Sequence, residues 1–190
     1  MATVNSYTGF MPTPDRTSLS RIVDAACELL ETEGLAGLTM QAVASRVGVR
    51  PPSLYKRVES RDDLIRLVAE STLTALGHRL DPATTLVQVA NAFRAFGHER
   101  PVAFQLIMTP GSGVPVARTE FGAAASEPTL RLARALAGDE HALDAARTLT
   151  AWATGFIAME LNGNFRLGGD VDEAWSFGVD RLVAAISLAA

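Results

Sequence analysis

The chain has 190 residues, of which 48% are hydrophobic and 20% charged, and this composition is typical of a globular protein with a packed core. Charged residues, glycines or prolines interrupt the apolar stretches before they reach the ~18 residues of a membrane span, and residues 1–15 lack the pattern of a secretory signal. With a net charge of −4 and one cysteine, Cys27, the sequence excludes an internal disulfide and predicts a cytoplasmic protein without a membrane partner. We interpret Cys27 as a small buried hydrophobe, with a redox sensor as the alternative.

The first predicted helix covers residues 15–33 and follows a loose arm, residues 1–14. Gly34 predicts the end of this helix, because glycine tolerates the left-handed conformation of a helix C-terminus. Apolar side chains recur along the helix every three or four residues, which is the period of an amphipathic helix. These positions are Leu19, Ile22, Ala26, Leu29 and Leu30.

A helix-turn-helix pattern follows. Thr39 is a favourable N-cap for a helix over residues 39–47, and Gly48 permits the sharp reversal that ends it. The next helix, residues 50–57, starts with two prolines, which are tolerated because the N–H groups of a first turn have no helical partner. Leu54 is predicted to anchor this helix to the core, so that its polar residues face outwards. A helix presented in this way fits the DNA major groove.

The remaining predicted elements are also helices, which makes the fold all-α with about nine helices. Ser60 followed by Asp63 resembles a capping box at the start of the fourth helix, and residues 109–115 are a loop rich in proline, glycine and serine. No long stretch alternates like a β-strand. The remaining helices are predicted over residues 60–77, 84–98, 101–108, 123–137, 140–163 and 171–188.

The charge distribution favours a nucleic-acid contact at one end of the protein. Residues 46–57 contain four cationic residues and no acidic one, whereas residues 71–190 contain nine arginines against twelve acidic residues. A basic segment on an acidic body is typical of a protein that contacts phosphates with one surface only.

Residues 16–70 resemble the DNA-binding domain of the tetracycline-repressor (TetR) family at many separate positions. The departures are Val58, where an aromatic residue is usual, and Arg61, where a lysine often contacts phosphate. The matching residues are Ile22, Ala25, Ala26, Leu29, Gly34, Leu38, Thr39, Met40, Val43, Ala44, Val47, Gly48, Val49, Ser53, Leu54, Tyr55 and Leu64.

This resemblance implies that residues 15–60 form a DNA-binding domain. Arg50, Pro51 and Ser53 are implied to face bases, where an arginine can hold guanine through two hydrogen bonds. The residues implied to contact bases or phosphates are Arg16, Ser18, Thr39, Gln41, Arg50, Pro51, Ser53, Tyr55, Lys56 and Arg61.

Phosphate contacts are implied for Tyr55, Lys56 and Arg61. Simpler roles stay open at this point. Thr39 is then an N-cap only, Tyr55 packs on the domain core with its hydroxyl outwards, and Lys56 belongs to a solvated face with Arg57.

The second half of the chain gives a weaker resemblance. Residues 151–161 resemble a TetR subgroup whose sensor domain carries a Trp-His-Gly type motif, and residues 170–175 match the acidic and aromatic start of its last helix. Thr154 stands near the position where histidine is common, so no histidine role is carried over. The resemblance implies that residues 61–190 form a ligand-sensing and dimerisation domain, which the fourth helix links to the DNA-binding domain.

A small apolar effector needs an apolar cavity with a few polar groups. Arg94 and His98 are predicted to supply polarity beside Phe96. The alternatives are that each aromatic side chain is plain core and that His98 meets the carbonyl oxygens of a helix C-terminus. The candidate ligand-binding residues are Phe93, Phe96, His98, Phe104, Met108, Phe121, Trp152, Phe156 and Met159.

In the family, the last two helices pair with those of a second copy as a four-helix bundle, and the resemblance implies the same homodimer here. The alternative is that the apolar faces of these helices only pack the interior of one protomer. The candidate interface residues are Ala145, Leu149, Ala153, Trp175, Val179, Leu182 and Ile186.

These features predict a ligand-responsive transcriptional regulator, a repressor, that binds a pseudo-palindromic double-stranded DNA operator as a homodimer. The alternative is a helical small-molecule-binding protein or an enzyme without operator binding. Gly111-Ser112-Gly113 lacks the spacing of a nucleophile or phosphate loop, and the histidines are too widely spaced for a metal motif. We therefore expect no catalytic residue, metal or cofactor.

Overall fold

The computed structural model describes residues 18–187, and over that range it consists of helices joined by turns and loops. The predicted all-α class is therefore confirmed. Helix α7 covers two of the nine predicted helices. Its backbone leaves the helical conformation at Gly138, where φ is +75°, and this break lies between the two predicted helices. None of the helices in this range combines the length and the apolar character that crossing a membrane requires. They are α1 (Leu19–Gly37), α2 (Met40–Val47), α3 (Pro51–Leu54), α4 (Arg61–Leu80), α5 (Leu86–Glu99), α6 (Pro101–Met108), α7 (Thr119–Leu161) and α8 (Val171–Ser187).

Side-chain caps begin α2 and α4 at the predicted residues. The hydroxyl oxygen of Thr39 accepts a hydrogen bond from the N–H of Ala42 at 3.1 Å, and that of Ser60 accepts one from the N–H of Asp63 at 3.1 Å. The carboxylate of Asp63 in turn accepts a hydrogen bond from the N–H of Glu59 at 3.0 Å. These bonds satisfy N–H groups that have no partner within the helix.

Several helix boundaries differ from the prediction. Helix α3 ends at Leu54, and residues 55–57 form a turn in which the N–H of Val58 donates to the carbonyl oxygen of Leu54 at 2.9 Å. This turn brings Val58 into the core, where it is fully buried. Helix α4 extends three residues further than predicted, to Leu80. The predicted arm over residues 1–14 lies outside the described residues.

The first of two hydrophobic cores lies among α1, α2, α3 and the first half of α4. Its centre includes Ile22, Val43, Leu54 and Leu64, which are completely buried, and α6 adds Ala103 and Leu106 from one side. Cys27 packs against this core half-buried, and burial raises the pKa of its thiol. A raised pKa disfavours the reactive thiolate, which supports the interpretation of Cys27 as a packing residue.

The second core lies among the second half of α4 and helices α5, α6, α7 and α8. It includes Leu76 from α4, Phe93 from α5, Phe104 from α6, Leu149 from α7 and Trp175 from α8. Helix α4 therefore belongs to both cores, because Leu64, Ile65, Val68 and Ala69 are buried in the first core and Leu76 and Leu80 in the second. A movement of α4 would therefore change the packing of both cores.

Candidate nucleic-acid interface and ligand cavity

Helices α2 and α3 and the turn between them form the predicted helix-turn-helix. Gly48 adopts a left-handed conformation (φ +79°, ψ +37°), which would strain any other residue. The N–H groups of Gly48 and Val49 donate to the carbonyl oxygens of Ser45 at 3.2 Å and Ala44 at 2.9 Å, which is the Schellman arrangement of a helix end. Leu54 is completely buried and anchors α3, as predicted.

The exposed side of α3 and of the following turn is cationic. Arg50 and Lys56 are exposed, and neither has an ion-pair partner among residues 18–187. Arg46 on α2 pairs with Glu28 at 3.1 Å, in a solvent-exposed position where such a pair contributes little to stability. The side chains of Arg50 and Lys56 are thus available to an external anion.

Of the predicted DNA-binding residues, five lie on α3 or next to it (Arg50, Pro51, Ser53, Tyr55 and Lys56), Thr39 and Gln41 lie at the start of α2, Ser18 precedes α1 and Arg61 begins α4, whereas Arg16 is outside the described residues. Tyr55 is 55% exposed, so the alternative in which it packs on the core does not describe the structure. The hydroxyl groups of Thr39 and Ser18 cap α2 and α1. Their contacts with bases and phosphates stay a prediction. Gln41, Arg50, Tyr55 and Lys56 are exposed, and Ser18, Thr39, Pro51, Ser53 and Arg61 are half-buried.

Arg61 makes contacts that the sequence did not indicate. Its Nε donates to the carbonyl oxygen of Leu38 at 2.8 Å, and its Nη2 donates to the carbonyl oxygen of Leu35 at 2.5 Å. These two bonds attach the start of α4 to the last turn of α1 and to Leu38, which follows it. Replacing Arg61 would therefore remove a structural contact, whether or not Arg61 also contacts DNA.

A cavity of about 260 Å³ lies between α4, α5 and α7, beside the end of α6. Its walls are mostly aliphatic, with Leu73, Leu76 and Leu80 on the α4 side. Of the nine predicted ligand-binding residues, two line this cavity, namely Phe93 and Met108. The structure thus has an apolar cavity in the predicted half of the chain, but along a different set of side chains.

The other seven predicted ligand-binding residues lie away from this cavity. Phe104 is buried and packs edge-on against Phe93, with ring centroids 5.1 Å apart. Trp152 instead faces α8, where its ring lies 5.0 Å from that of Trp175. Phe104 and Trp152 thus fill contacts between helices, as the plain-core alternative holds, whereas His98 and Met159 are exposed. The seven are Phe96, His98, Phe104, Phe121, Trp152, Phe156 and Met159.

His98 belongs to a polar cluster at the edge of the second core. Its Nε2 lies 2.9 Å from a carboxylate oxygen of Glu160, which also accepts a hydrogen bond from Nε of Arg94 at 3.0 Å. Arg94 bonds to Asp172 at 2.6 Å and stacks over the ring of Trp175. The hydrogen bond from Arg94 lowers the pKa of Glu160, although burial opposes the shift. This cluster ties α5 to α7 and α8.

The predicted dimer-interface residues are buried within a single protomer. Leu149, Ala153, Trp175 and Val179 are each at most 2% exposed, Ala145 and Ile186 are also buried, and Leu182 is half-buried. The alternative interpretation, in which these positions pack the protomer interior, describes them better. Hydrophobic periodicity marks the most apolar face of a helix but does not tell which neighbour covers it.

Exposed apolar or small residues lie on the faces of α7 and α8 that are opposite to the buried ones. Ala151, Gly155 and Met159 follow one another at a spacing of four residues on α7, and Met159 is 44% exposed. Ala174 and Phe177 lie on the exposed side of α8, and Phe177 is 64% exposed. We name these five residues the outer stripe. An exposed apolar surface of this kind commonly marks a protein contact.

Glu31 makes a contact between helices that sequence analysis missed. Its carboxylate accepts hydrogen bonds from the N–H groups of Val102 at 3.2 Å and Ala103 at 2.9 Å, at the start of α6. Helix α6 has no side-chain cap of its own, so a residue of α1 performs that role. Glu31 lies about 70 positions before Val102 and Ala103 in the chain. A local sequence pattern therefore does not reveal this contact. The contact joins α1, which belongs to the first core, to α6, whose end lies beside the cavity.

Comparison with known proteins agrees with this geometry. Residues 22–68 match the family model described as bacterial regulatory proteins, tetR family, and residues 86–182 match the model of the tetracyclin repressor-like C-terminal domain. The chain belongs to the TetR family. The chain is thus a TetR-family transcriptional regulator, and the predicted resemblance of its helix-turn-helix to this family is confirmed. Its likeness to the Trp-His-Gly subgroup stays a prediction.

Similar proteins carry related names. An uncharacterised HTH-type transcriptional regulator of Mycobacterium tuberculosis is 31% identical over 162 residues, which cover 79% of this chain and 73% of that protein. The regulator YobS of Bacillus subtilis is 25% identical over 175 residues, which cover 87% and 90% of the two chains. The class E tetracycline repressor of Escherichia coli is 29% identical over 90 residues, which cover 47% of this TetR-family chain and 40% of the repressor.

Solved structures share the fold. A putative regulatory protein superimposes with a TM-score of 0.74 and 25% identity, covering 90% of this chain and all of the other. A point variant of TetR from Acinetobacter baumannii, in complex with minocycline, superimposes with a TM-score of 0.65 and 22% identity, covering 88% and 95% of the two chains.

Proposed function

We propose that this TetR-family protein represses transcription by binding a pseudo-palindromic operator as a homodimer, and that a small effector in the cavity changes its affinity for the operator. The observation that carries the proposal is the exposed pair Arg50 and Lys56, without ion-pair partners, on the helix-turn-helix of an acidic protein. Phosphates of double-stranded DNA attract such a surface. Within the described residues, these two charges stabilise no ion pair. No catalytic step, metal or cofactor is part of this function.

The outer stripe supports the dimeric part of the proposal. A twofold axis brings the same surface of each copy together, so an exposed apolar stripe can cover itself. Ala151 and Gly155 have small side chains, which permit a close approach of two α7 helices. A closed dimer presents two α3 helices, and two reading helices about one DNA turn apart match the two halves of a palindromic site.

Helix α4 supports the effector-dependent part. Its residues Leu64 and Val68 are buried in the first core, and its residues Leu73, Leu76 and Leu80 line the cavity. An effector changes DNA affinity only if it binds two conformations of the protein unequally. A ligand that fills the cavity presses on α4, and α4 carries this displacement to the DNA-binding residues.

The test is selection of a bound sequence from a library of random duplexes, followed by affinity measurements at several salt concentrations. Lys56→Ala should weaken binding to selected and random duplexes alike and flatten the salt dependence by about 0.9 per lost phosphate contact. Arg50→Ala should relax the base preference at one position per half-site, by about 1–3 kcal/mol.

Arg134→Ala is the matched control, because Arg134 is exposed on α7 and pairs only with Asp139 among the described residues. This variant should bind both duplexes as the wild type does. If the wild-type protein binds no duplex in the selection, the chain is a helical small-molecule-binding protein and not an operator-binding one.

A further inference from the structure

A second cavity continues from the first along α7. It has a volume of about 530 Å³ and shares Met108, Ser126, Thr129 and Thr150 with the smaller cavity. We call the smaller space the inner cavity and this one the outer cavity. Residues shared by both walls show that the two spaces adjoin each other, so one elongated ligand can occupy both.

The walls change character from one end to the other. The inner cavity is surrounded mainly by aliphatic and aromatic side chains, among them Leu76, Val89 and Phe93. The outer cavity is reached past Thr150 and includes the guanidinium-bearing Arg147. No acidic residue lines either cavity. A ligand oriented by these walls has its apolar part inside and its polar part outside.

Two hydroxyl groups at the junction have no hydrogen-bond partner in residues 18–187. They belong to Thr129, which is only 5% exposed, and to Thr150, and both residues line both cavities. By contrast, Thr72 and Thr74 on α4 donate to carbonyl oxygens of the preceding turn. Both hydroxyl oxygens are accessible to solvent, because among the described residues no fully buried polar side-chain atom lacks a partner. The two hydroxyls are therefore available to polar atoms of a ligand.

Arg147 is the cation of the outer cavity. Arg131 and Arg134, the other arginines of α7, contact Asp81 and Asp139, whereas Arg147 has no ion-pair partner among the described residues. Helical spacing places Arg147 one turn before Thr150 and Ala151 on the face that lines the outer cavity. An unpaired guanidinium next to free hydroxyls favours an anion, and a carboxylate matches its two parallel N–H groups.

We propose that the effector is an amphipathic organic acid whose apolar body occupies the inner cavity and whose carboxylate binds Arg147, with Thr150 and Thr129 as hydrogen-bond donors along the way. This inference rests on the proposed function, because it names the chemical class of the effector. The inference specifically states that the protein recognises a negative charge at the outer end of the ligand, which an apolar cavity alone cannot do.

The experiment compares two probes of equal chain length, decanoate and 1-decanol, by calorimetric titration of the full-length protein below the aggregation concentration of each. Because Arg147 is exposed, where a charge pair is weaker than in a buried site, wild-type protein should bind decanoate about two- to fivefold more tightly than 1-decanol. Arg147→Met should remove this preference and leave the affinity for 1-decanol unchanged. Arg147→Lys, which keeps the charge, should retain part of the preference.

Arg134→Met is the control for a lost arginine on the same helix and should behave as wild type. Equal binding of the two probes by wild-type protein, or an undiminished preference in Arg147→Met, overturns the inference, and so does failure to bind either probe. DNA binding is measured on the same samples. If the operator is bound while decanoate is not preferred, the effector class is wrong and the regulatory function stands.

Discussion

Glu70 on α4 accepts a hydrogen bond from Nε of Arg118, the residue that precedes α7, over 2.8 Å. Glu70 is 3% exposed and also bonds to Arg66 at 2.7 Å. Burial raises the pKa of Glu70, but the hydrogen bonds from Arg118 and Arg66 outweigh it and hold the pKa below its ordinary value. A buried charge on α4 is thus matched by a cation at the start of α7, and this contact helps to fix α4 relative to the cavity wall.

The stability of the protein should fall in acid because of Glu70 and Glu160. Both carboxylates have a lowered pKa in the folded state, so the unfolded chain binds protons more readily than the folded one. Their contribution is complete above the ordinary pKa near 4.5 and is lost as the pH falls through the lower folded value. Denaturant unfolding between about pH 6 and pH 3 measures this loss.

Glu70→Gln and Glu160→Gln should each lower stability at neutral pH and flatten its dependence on pH. The control is Glu140→Gln, at an exposed position that makes no ion pair among the described residues. A pH dependence equally steep in Glu70→Gln and in the wild type would mean that the Glu70 contacts do not stabilise the fold.

The outer stripe should separate dimerisation from folding. Phe177→Glu places a charge on an exposed position of α8, so it should yield helical monomers in sedimentation experiments. Leu149→Glu places a charge in the second core and should unfold the protein, since a buried unpaired charge costs several kcal/mol. Leu167→Glu, in the fully exposed turn before α8, is the control and should stay dimeric. A dimeric Phe177→Glu variant would exclude the outer stripe as the interface.

The contrast between Leu149 and Phe177 shows where sequence reasoning stops. Thr39, Gly48 and Ser60 were assigned correctly because a cap or a left-handed turn is determined by residues within five positions of it. Leu149 was assigned to the interface because it lies on the most apolar face of its helix. The protomer's own helices cover that face, and the packing of elements distant in the chain decides this.

The cavity was misplaced for the same physical reason. Phe104 and Trp152 are large and apolar, which made them candidates for a ligand-facing wall, but each fills a gap between two helices. The space that stays open lies where small residues such as Ala125 and Gly122 of α7 face α4. Empty space follows from the angle and distance between helices, and no local pattern encodes these quantities.

The contact between α7 and α8 should depend on Gly178. A Cβ atom added there would overlap with the Cζ2 atom of Trp152, so the two helices approach closely at this point. Gly178→Ala should lower the free energy of unfolding by about 1–3 kcal/mol, the usual cost of overpacking. Adding Trp152→Phe, which removes the overlapping ring, should recover most of this loss in a double-mutant cycle. An unchanged stability of Gly178→Ala would show that the two helices move apart without cost.

Gly122 offers a way to fill the inner cavity without disturbing the fold. It lines the cavity, and a Cβ atom added there would meet nothing within 4 Å. Gly122→Leu should keep DNA binding and thermal stability, with a gain of up to about 1 kcal/mol in helix propensity, while abolishing the response to a ligand found by thermal-shift screening. Ala123→Leu, at an exposed neighbouring position, is the control. Retention of the ligand response by Gly122→Leu would place the effector elsewhere.

Arg61 allows the structural and the DNA-contacting roles of one residue to be separated. Its two hydrogen bonds to the carbonyl oxygens of Leu35 and Leu38 are lost in Arg61→Gln, which should lower the free energy of unfolding by about 1–3 kcal/mol. If Arg61 acts only within the protein, the salt dependence of DNA binding by the folded variant should equal that of the wild type. A salt slope reduced by about 0.9, as expected for Lys56→Ala, would instead reveal a direct phosphate contact by Arg61. Thermal unfolding and binding titrations on the same preparation decide between the two, because Lys56→Ala should leave the melting temperature unchanged.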